Sequence, residues 1–181
     1  MKKKKVKILH SRVAYKCKYM RITEEDFTFS GKKVHRYYLL ERNDYVIVIA
    51  KEGEYFYLIE QYRYPTKSYL IQVVAGGIEK GETPIMAARK ELKEEAGITA
   101  GKMKKIGWLY AYYGPSNQKA NVFFAEDLSF GKQDLKGLEK ESDVKVKKYT
   151  LSEIKEMIKS NRIKDEDTLS AFCIYMLKYD N

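Results

Sequence analysis

A chain of 181 residues, 44% hydrophobic and 13% aromatic, can bury one substantial core, and three prolines with no low-complexity stretch or repeat leave no obvious linker. No apolar run reaches membrane-spanning length, the basic start MKKKKVKILH lacks a signal peptide's apolar centre, and Cys17 and Cys173 are too few for a disulfide framework or zinc motif, so a cytoplasmic protein is expected. The net charge of +10 includes Lys2 to Lys5 and is otherwise spread along the chain, which argues against nucleic-acid binding and for a surface that favours polyphosphate ligands.

In chain order, periodicity and turn residues predict strands over Arg12–Met20, Val34–Glu41, Tyr45–Ala50 and Tyr55–Tyr62, with a hairpin at Lys51-Glu52-Gly53-Glu54. An apolar strand over Tyr69–Val74 runs into Ala75-Gly76-Gly77, a loop whose backbone can approach a ligand closely and whose carbonyls can join carboxylates around a metal. A helix follows. Thr83 caps it, Pro84 suits its first position, and Gly97 supplies a left-handed stop. Ile85, Ala88 and Leu92 are expected to form its buried stripe, leaving Glu91, Glu94 and Glu95 looking outward.

Clustered glutamates on a helix are most often a solvated face. Here Glu91 faces both Glu94 and Glu95 at roughly 5–6 Å, a repulsion of a few tenths of a kcal/mol per pair. Lys90 offsets part of it, and a hard divalent cation, Mg²⁺ or Mn²⁺, would offset more.

Beyond the helix, strands are predicted over Lys104–Tyr113, Asn121–Ala125 and Val144–Tyr149. Tyr110, Tyr112 and Tyr113 are read as sheet-packing residues. Thr150 and Glu153 form a capping box for a helix to about Ser160, and a final helix is expected to bury Leu169, Phe172, Cys173 and Met176. The result is a mixed sheet with few helices, an α/β (α+β) layout.

The strand, glycine loop and acidic helix carry a resemblance to the Nudix box. Gly76, Glu82, Glu91, Leu92, Glu94, Glu95, Gly97 and Ile98 fall in its register, and Lys90 stands where arginine is usual. Arg89 lies about 100° further round the helix and is no simple replacement. The resemblance implies a Nudix-type α/β/α sandwich with a mixed central sheet and an N-terminal antiparallel strand region, spanning residues 1–181 as a single domain. Glu60-Gln61-Tyr62-Arg63 and the closing segment through Thr168-Leu169-Ser170-Ala171 are similar to ADP-ribose pyrophosphatases.

That likeness implies Mg²⁺-dependent hydrolysis of the diphosphate bond of ADP-ribose or a related nucleoside diphosphate sugar. Glu91, Glu94, Glu95 and the Ala75 carbonyl would hold metal, with Glu94 and Glu95 also taking part in catalysis. Glu82 and Lys90 would support them, and Arg63, Gly76 and Gly77 would meet the substrate. In similar enzymes a loop glutamate before the last strand activates water; Glu141 is the first choice here and Glu139 the second. Gln118 and Gln72 stand where relatives carry acids. With Lys90, they motivate one alternative, a noncatalytic nucleotide-binding sensor; another keeps the enzyme but changes its substrate to ADP-sugars, dinucleoside polyphosphates, NADH or capped RNA, the last suggested by the basic surface. Analogy also implies a homodimer built through residues 1–45.

Overall fold

The structure is a computed structural model and describes residues 5–29 and 31–180. Lys2 to Lys4, part of the expected basic end, lie outside the described residues. The described chain forms two compact units. One takes the chain up to Asp44 together with Tyr110–Lys119; the other takes Tyr45–Leu109 and the chain from Ala120 onward.

The first unit carries an antiparallel sheet of β1 (Lys7–Lys16), β2 (Arg21–Thr28) and β3 (His35–Glu41), in that order. The predicted Arg12–Met20 strand begins earlier and stops at Lys16, because Cys17 turns the chain by donating to the Met20 carbonyl at 3.0 Å. β2 is absent from the sequence reading because Glu24, Glu25 and Asp26 break its apolar alternation. Neighbouring strands neutralise two of these charges: Arg12 pairs with Glu24 at 2.7 Å and Arg36 with Asp26 at 2.8 Å. The predicted Lys104–Tyr113 strand also ends early, at Tyr110. Tyr112 adopts φ 49° and is exposed with Tyr113, so neither packs a sheet.

The second unit is built on β4 (Tyr45–Glu52), β5 (Tyr55–Arg63), β6 (Ser68–Gln72), β7 (Val74–Gly77), β8 (Ile98–Tyr110), β9 (Lys119–Phe130) and β10 (Lys145–Thr150). The sheet order is β10-β5-β4-β9-β8, with β6 on β5 and β7 on β4. β4 runs parallel to β9 and antiparallel to β5 and β7, so the sheet is mixed as expected. Val46 to Ala50 are all buried, the near-continuous apolar run of a strand covered on both faces. Ile47 and Ile49 pack with Ile154, Phe172 and Tyr175 of α2 (Leu151–Lys159) and α3 (Glu166–Tyr179). Val46, Val48 and Ala50 pack with Ala87, Ala88 and Leu92 of α1 (Pro84–Ala96) on the opposite face. Helices on both faces of the sheet give the α/β/α sandwich.

The Thr150–Glu153 capping box forms as expected. α3 buries Phe172 as expected and packs Leu169 and Met176 partly against the core, but its fully buried face runs through Thr168, Ala171 and Tyr175, and Cys173 is exposed. The aromatic contacts of Phe56 with Phe172 (5.4 Å) and Tyr175 (5.1 Å) draw the helix round by one position. The predicted Tyr69–Val74 strand divides at Val73, whose N–H donates to the buried Thr168 hydroxyl at 2.9 Å instead of to a neighbouring strand. This break lets β7 leave β5 for β4. No helix among the described residues is long and apolar enough to cross a membrane.

Candidate active site

α1 is bounded as its sequence requires. The Thr83 hydroxyl accepts from Met86 N–H, Pro84 opens the helix, and Gly97 closes it at φ 66°. A second constraint holds Gly97. A Cβ there would approach the Gly131 carbonyl oxygen to 2.6 Å, so only glycine admits the chain that follows β9.

The expected orientation of the helix is corrected in one respect. Ile85 is exposed, Ala87 takes its place in the buried stripe, and Glu95 is buried, with only 3% of its surface accessible. The carboxylates therefore do not all look outward. Glu95 accepts a main-chain hydrogen bond from Ala75, while its Oε2 is buried with no hydrogen-bond partner. Burial first, then repulsion from Glu139 and Glu91, pushes its carboxyl up to about 8, although Arg63 and the Ala75 bond pull the other way. Glu91 is pushed up to about 7 by burial, opposed by Lys90 and reinforced by Glu94 and Glu139.

Gly76 explains where Glu91 sits. A Cβ added at Gly76 would fall inside the Glu91 carboxyl group, so the carboxylate lies directly on the bare backbone of β7. The backbone cannot retreat, since Gly76 is paired with Val46 of β4. Gly77, by contrast, is exposed, and an added Cβ would meet nothing within 4 Å.

Lys90 gathers the remaining acids. Its ammonium lies 3.0 Å from Glu82, 3.5 Å from Glu79 and 3.6 Å from Glu91, while the Glu79 N–H holds Glu82 from the other side at 2.9 Å. Lys90 thus spans Glu82 and Glu91. Arg89 instead donates to the Ala100 carbonyl at 2.5 Å. Glu94 is ion-paired to Lys136 and turned toward that side chain.

The loop before β10 contributes Glu139, in a 3-10 turn over Gly137–Lys140, with its carboxylate accepting from Lys136 N–H at 3.3 Å. Its repulsion is felt by both Glu91 and Glu95. Glu141 follows the turn and is exposed. Arg63, at the end of β5, attracts Glu95, Asp165 and Asp167, and its Nε donates to Gln72 at 3.2 Å. The structure therefore brings together Glu91, Glu95, Ala75, Gly76, Arg63 and Glu139, with Glu82 and Lys90 behind them. In the other unit, Gln118 is buried and donates to the Asn43 carbonyl at 2.5 Å.

Sequence reading did not supply Lys136 beside Glu94, the acidic pair Asp165 and Asp167 facing Arg63, or Gln133, which donates to the Glu95 main-chain carbonyl at 2.5 Å. None has a local signal, because each reaches the site across a long stretch of chain.

Glu95, buried, and Glu91, half-buried against the glycine strand β7, offer carboxylates to a cation, while Arg63 beside them offers a guanidinium to an anion. The NUDIX domain matches residues 39–171, and the chain belongs to the Nudix family. It is a Nudix hydrolase. It is 32% identical over 133 residues to the ADP-ribose pyrophosphatase of Bacillus subtilis (strain 168), covering 74% of this chain and 71% of that one. It is 33% identical over 129 residues to the methanol dehydrogenase activator of Bacillus methanolicus, covering 70% and 67%, and 30% identical over 118 residues to an Escherichia coli GDP-mannose pyrophosphatase, covering 62% and 61%. A crystal structure of an ADP compounds hydrolase shares the fold, with a TM-score of 0.86 over 97% of this chain and 95% of that chain at 22% identity.

Nudix hydrolases generally use divalent metal ions. Among the described residues no three His, Cys, Asp or Glu side chains stand ready as a ligand set. The chemistry of the site nevertheless fits a hard cation: Glu95 Oε2 is buried and unpartnered, and Glu91 and Glu95 are held in mutual repulsion that a cation would relieve.

Proposed function

We propose that this chain hydrolyses the diphosphate bond of ADP-ribose or a related nucleoside diphosphate sugar with Mg²⁺ or Mn²⁺, giving AMP and ribose 5-phosphate from ADP-ribose. The buried, partnerless Glu95 oxygen beside Glu91 is the observation that carries this reading. Glu91 and Glu95 would hold the cation, joined by Glu94 once it leaves Lys136 and by the Ala75 carbonyl. A cation bound there would neutralise diphosphate charge and lower the pKa of a coordinated water.

Arg63 grips phosphate oxygens, its guanidinium offering two donors in a plane. Glu139 takes the proton from the attacking water as oxygen bonds to phosphorus and the bridging P–O bond breaks. Glu139 is preferred to Glu141 because it shares the electrostatic environment of Glu91 and Glu95 while Glu141 faces solvent. The likeness to a GDP-mannose pyrophosphatase favours a second reading in which another nucleoside diphosphate sugar is the preferred substrate.

A substrate panel of ADP-ribose, ADP-glucose, GDP-mannose, NADH, a dinucleoside polyphosphate and capped RNA, compared by kcat/KM at equal Mg²⁺, tests both. ADP-ribose or another diphosphate sugar should lead. Tight binding of ADP-ribose without turnover of any compound would overturn the enzyme reading in favour of a sensor.

Lys90→Met should release Glu82 and Glu91 and lower metal affinity or turnover by about 10–100-fold, the usual effect of removing a group that orients metal ligands. Metal titration of activity reads this directly. Lys90→Arg should raise metal affinity or rate, because a planar fork would orient the glutamates more firmly; no change would show that the fork adds nothing at this position.

We further propose that the chain acts in the cytoplasm as a homodimer through its N-terminal strands. Free Cys17 and Cys173 support the first, and exposed Ile8, Leu9, Val13 and Tyr15 on β1 support the second. Light scattering at micromolar concentration should give twice the 21.2 kDa chain mass; a monomer would count against it.

A further inference from the structure

We propose that Gln72 and Gln61 are positioning residues, forming a buried amide relay that aims Arg63 at the substrate and ties it to the loop bearing Glu139. The inference rests on the diphosphate hydrolase reading above. The relay is continuous. Arg63 Nε donates to Gln72 Oε1 at 3.2 Å, Gln72 Nε2 to Gln61 Oε1 at 3.3 Å, and Gln61 Nε2 to Ser142 Oγ at 2.8 Å. The Ser142 hydroxyl then donates to the Glu139 carbonyl at 3.2 Å. Tyr62 N–H also donates to the Ser142 carbonyl at 3.0 Å, fastening the same loop to β5.

The direction of every bond follows from one end. Arginine can only donate, so Gln72 must present its oxygen to Arg63 and its amino group to Gln61. Gln61 must then present its own amino group to Ser142, whose single proton is left for Glu139. Gln61 is 3% exposed and Gln72 6%, so water does not readily replace a lost partner, and each break leaves a buried polar atom unpaired.

The relay also preserves charge. Gln72 fixes the guanidinium through Nε with a neutral oxygen, which leaves the two terminal nitrogens for phosphate and adds no negative charge to that of Glu95, Asp165 and Asp167. A carboxylate at that position would neutralise Arg63 and compete with the substrate. It could not donate to Gln61, and reversing Gln61 would cost the loop its bond from Ser142. Glutamine at position 72 is thus a device for orienting an arginine without pairing it.

Two variants separate the ends of the relay. Gln72→Leu should raise KM for the panel's best substrate about tenfold, because Arg63 loses its anchor, with a smaller change in kcat. Ser142→Ala should lower kcat more than it raises KM, because the Glu139 loop is freed while the Arg63–Gln72 bond remains. Ser142→Thr, which restores the hydroxyl, should recover the rate.

A substrate-independent arm measures hydrogen exchange of the backbone amides of residues 139–145, which should speed up in both Gln72→Leu and Ser142→Ala at temperatures where each variant remains folded. Wild-type exchange and wild-type KM and kcat in both variants would overturn the relay, as would losses that only track the folded fraction. If wild type turns over nothing in the panel, the functional reading falls and the exchange arm alone decides the relay.

Discussion

Glu95→Gln should reduce hydrolysis by about 10³-fold or more if Glu95 holds the cation as proposed, since it removes that charge while leaving shape almost unchanged. It should also make the metal-free protein more stable in mild alkali. The Glu95 carboxyl is raised from the usual carboxylate range to about 8 and that of Glu91 to about 7. A raised acid binds more protons folded than unfolded through this window. Its contribution to stability is complete below the ordinary carboxylate range and is lost as pH rises through 7 to 8.

Wild type in a chelator should therefore lose Tm between pH 6 and pH 8.5, and Glu95→Gln should lose less. One pKa unit corresponds to about 1.4 kcal/mol, so a difference of about 3 °C or more at pH 8.5 is expected for a chain of this length. Saturating Mg²⁺ should reverse the order, because the cation binds the ionised wild-type pair. Equal pH dependence in chelated wild type and variant would remove Glu95 from the electrostatic account, and an active Glu95→Gln would remove it from the chemistry.

Gly76→Ala should inactivate the enzyme while leaving it folded. The new Cβ would occupy the space of the Glu91 carboxyl, and β7 cannot yield because Gly76 is registered against Val46. Glu91 must swing away. A displacement of about 1 Å at a reacting centre can cost about 10²-fold, and a loss of that order or greater is expected in kcat/KM, with weaker Mg²⁺ activation. Circular dichroism and thermal melting should remain close to wild type, because Glu91 is only displaced toward solvent. Gly77→Ala, where an added Cβ meets nothing, should cost far less. Similar losses at both positions would contradict the packing of Glu91 on Gly76.

The helix carrying the three glutamates was legible in the sequence because its signals are local: a cap at Thr83, a proline at Pro84 and a left-handed glycine at Gly97. The strands were legible where apolar runs dominate, as in Val46 to Ala50, and illegible in β2, where Glu24 and Asp26 find arginines only after the chain has folded back. The burial of Glu95 was missed for a related reason. Helical spacing places Glu91, Glu94 and Glu95 near one another, but β7 and the Glu139 loop decide which of them is enclosed. Glu94 goes to Lys136, and Glu95 goes inward. The role proposed for Gln72 and Gln61 was hidden for the same cause, since Gln72 meets Arg63 and Gln61 across a strand pair and Gln61 meets Ser142 far along the chain.

The parallel register between β4 and β9 also sets the order in which the molecule can form. β7 and β5 pair with β4 over short stretches of chain, whereas β9, which follows α1 and β8, reaches β4 only across a long crossover. Such distant pairings form slowly, and the Glu139 loop that completes the acidic pocket lies beyond β9 in the chain, so the pocket is expected to be enclosed late. Repulsion between Glu91 and Glu95 is then a strain on the finished molecule and not on its folding nucleus. Relieving it, by Glu95→Gln or by a bound cation, should slow unfolding while leaving the refolding rate nearly unchanged.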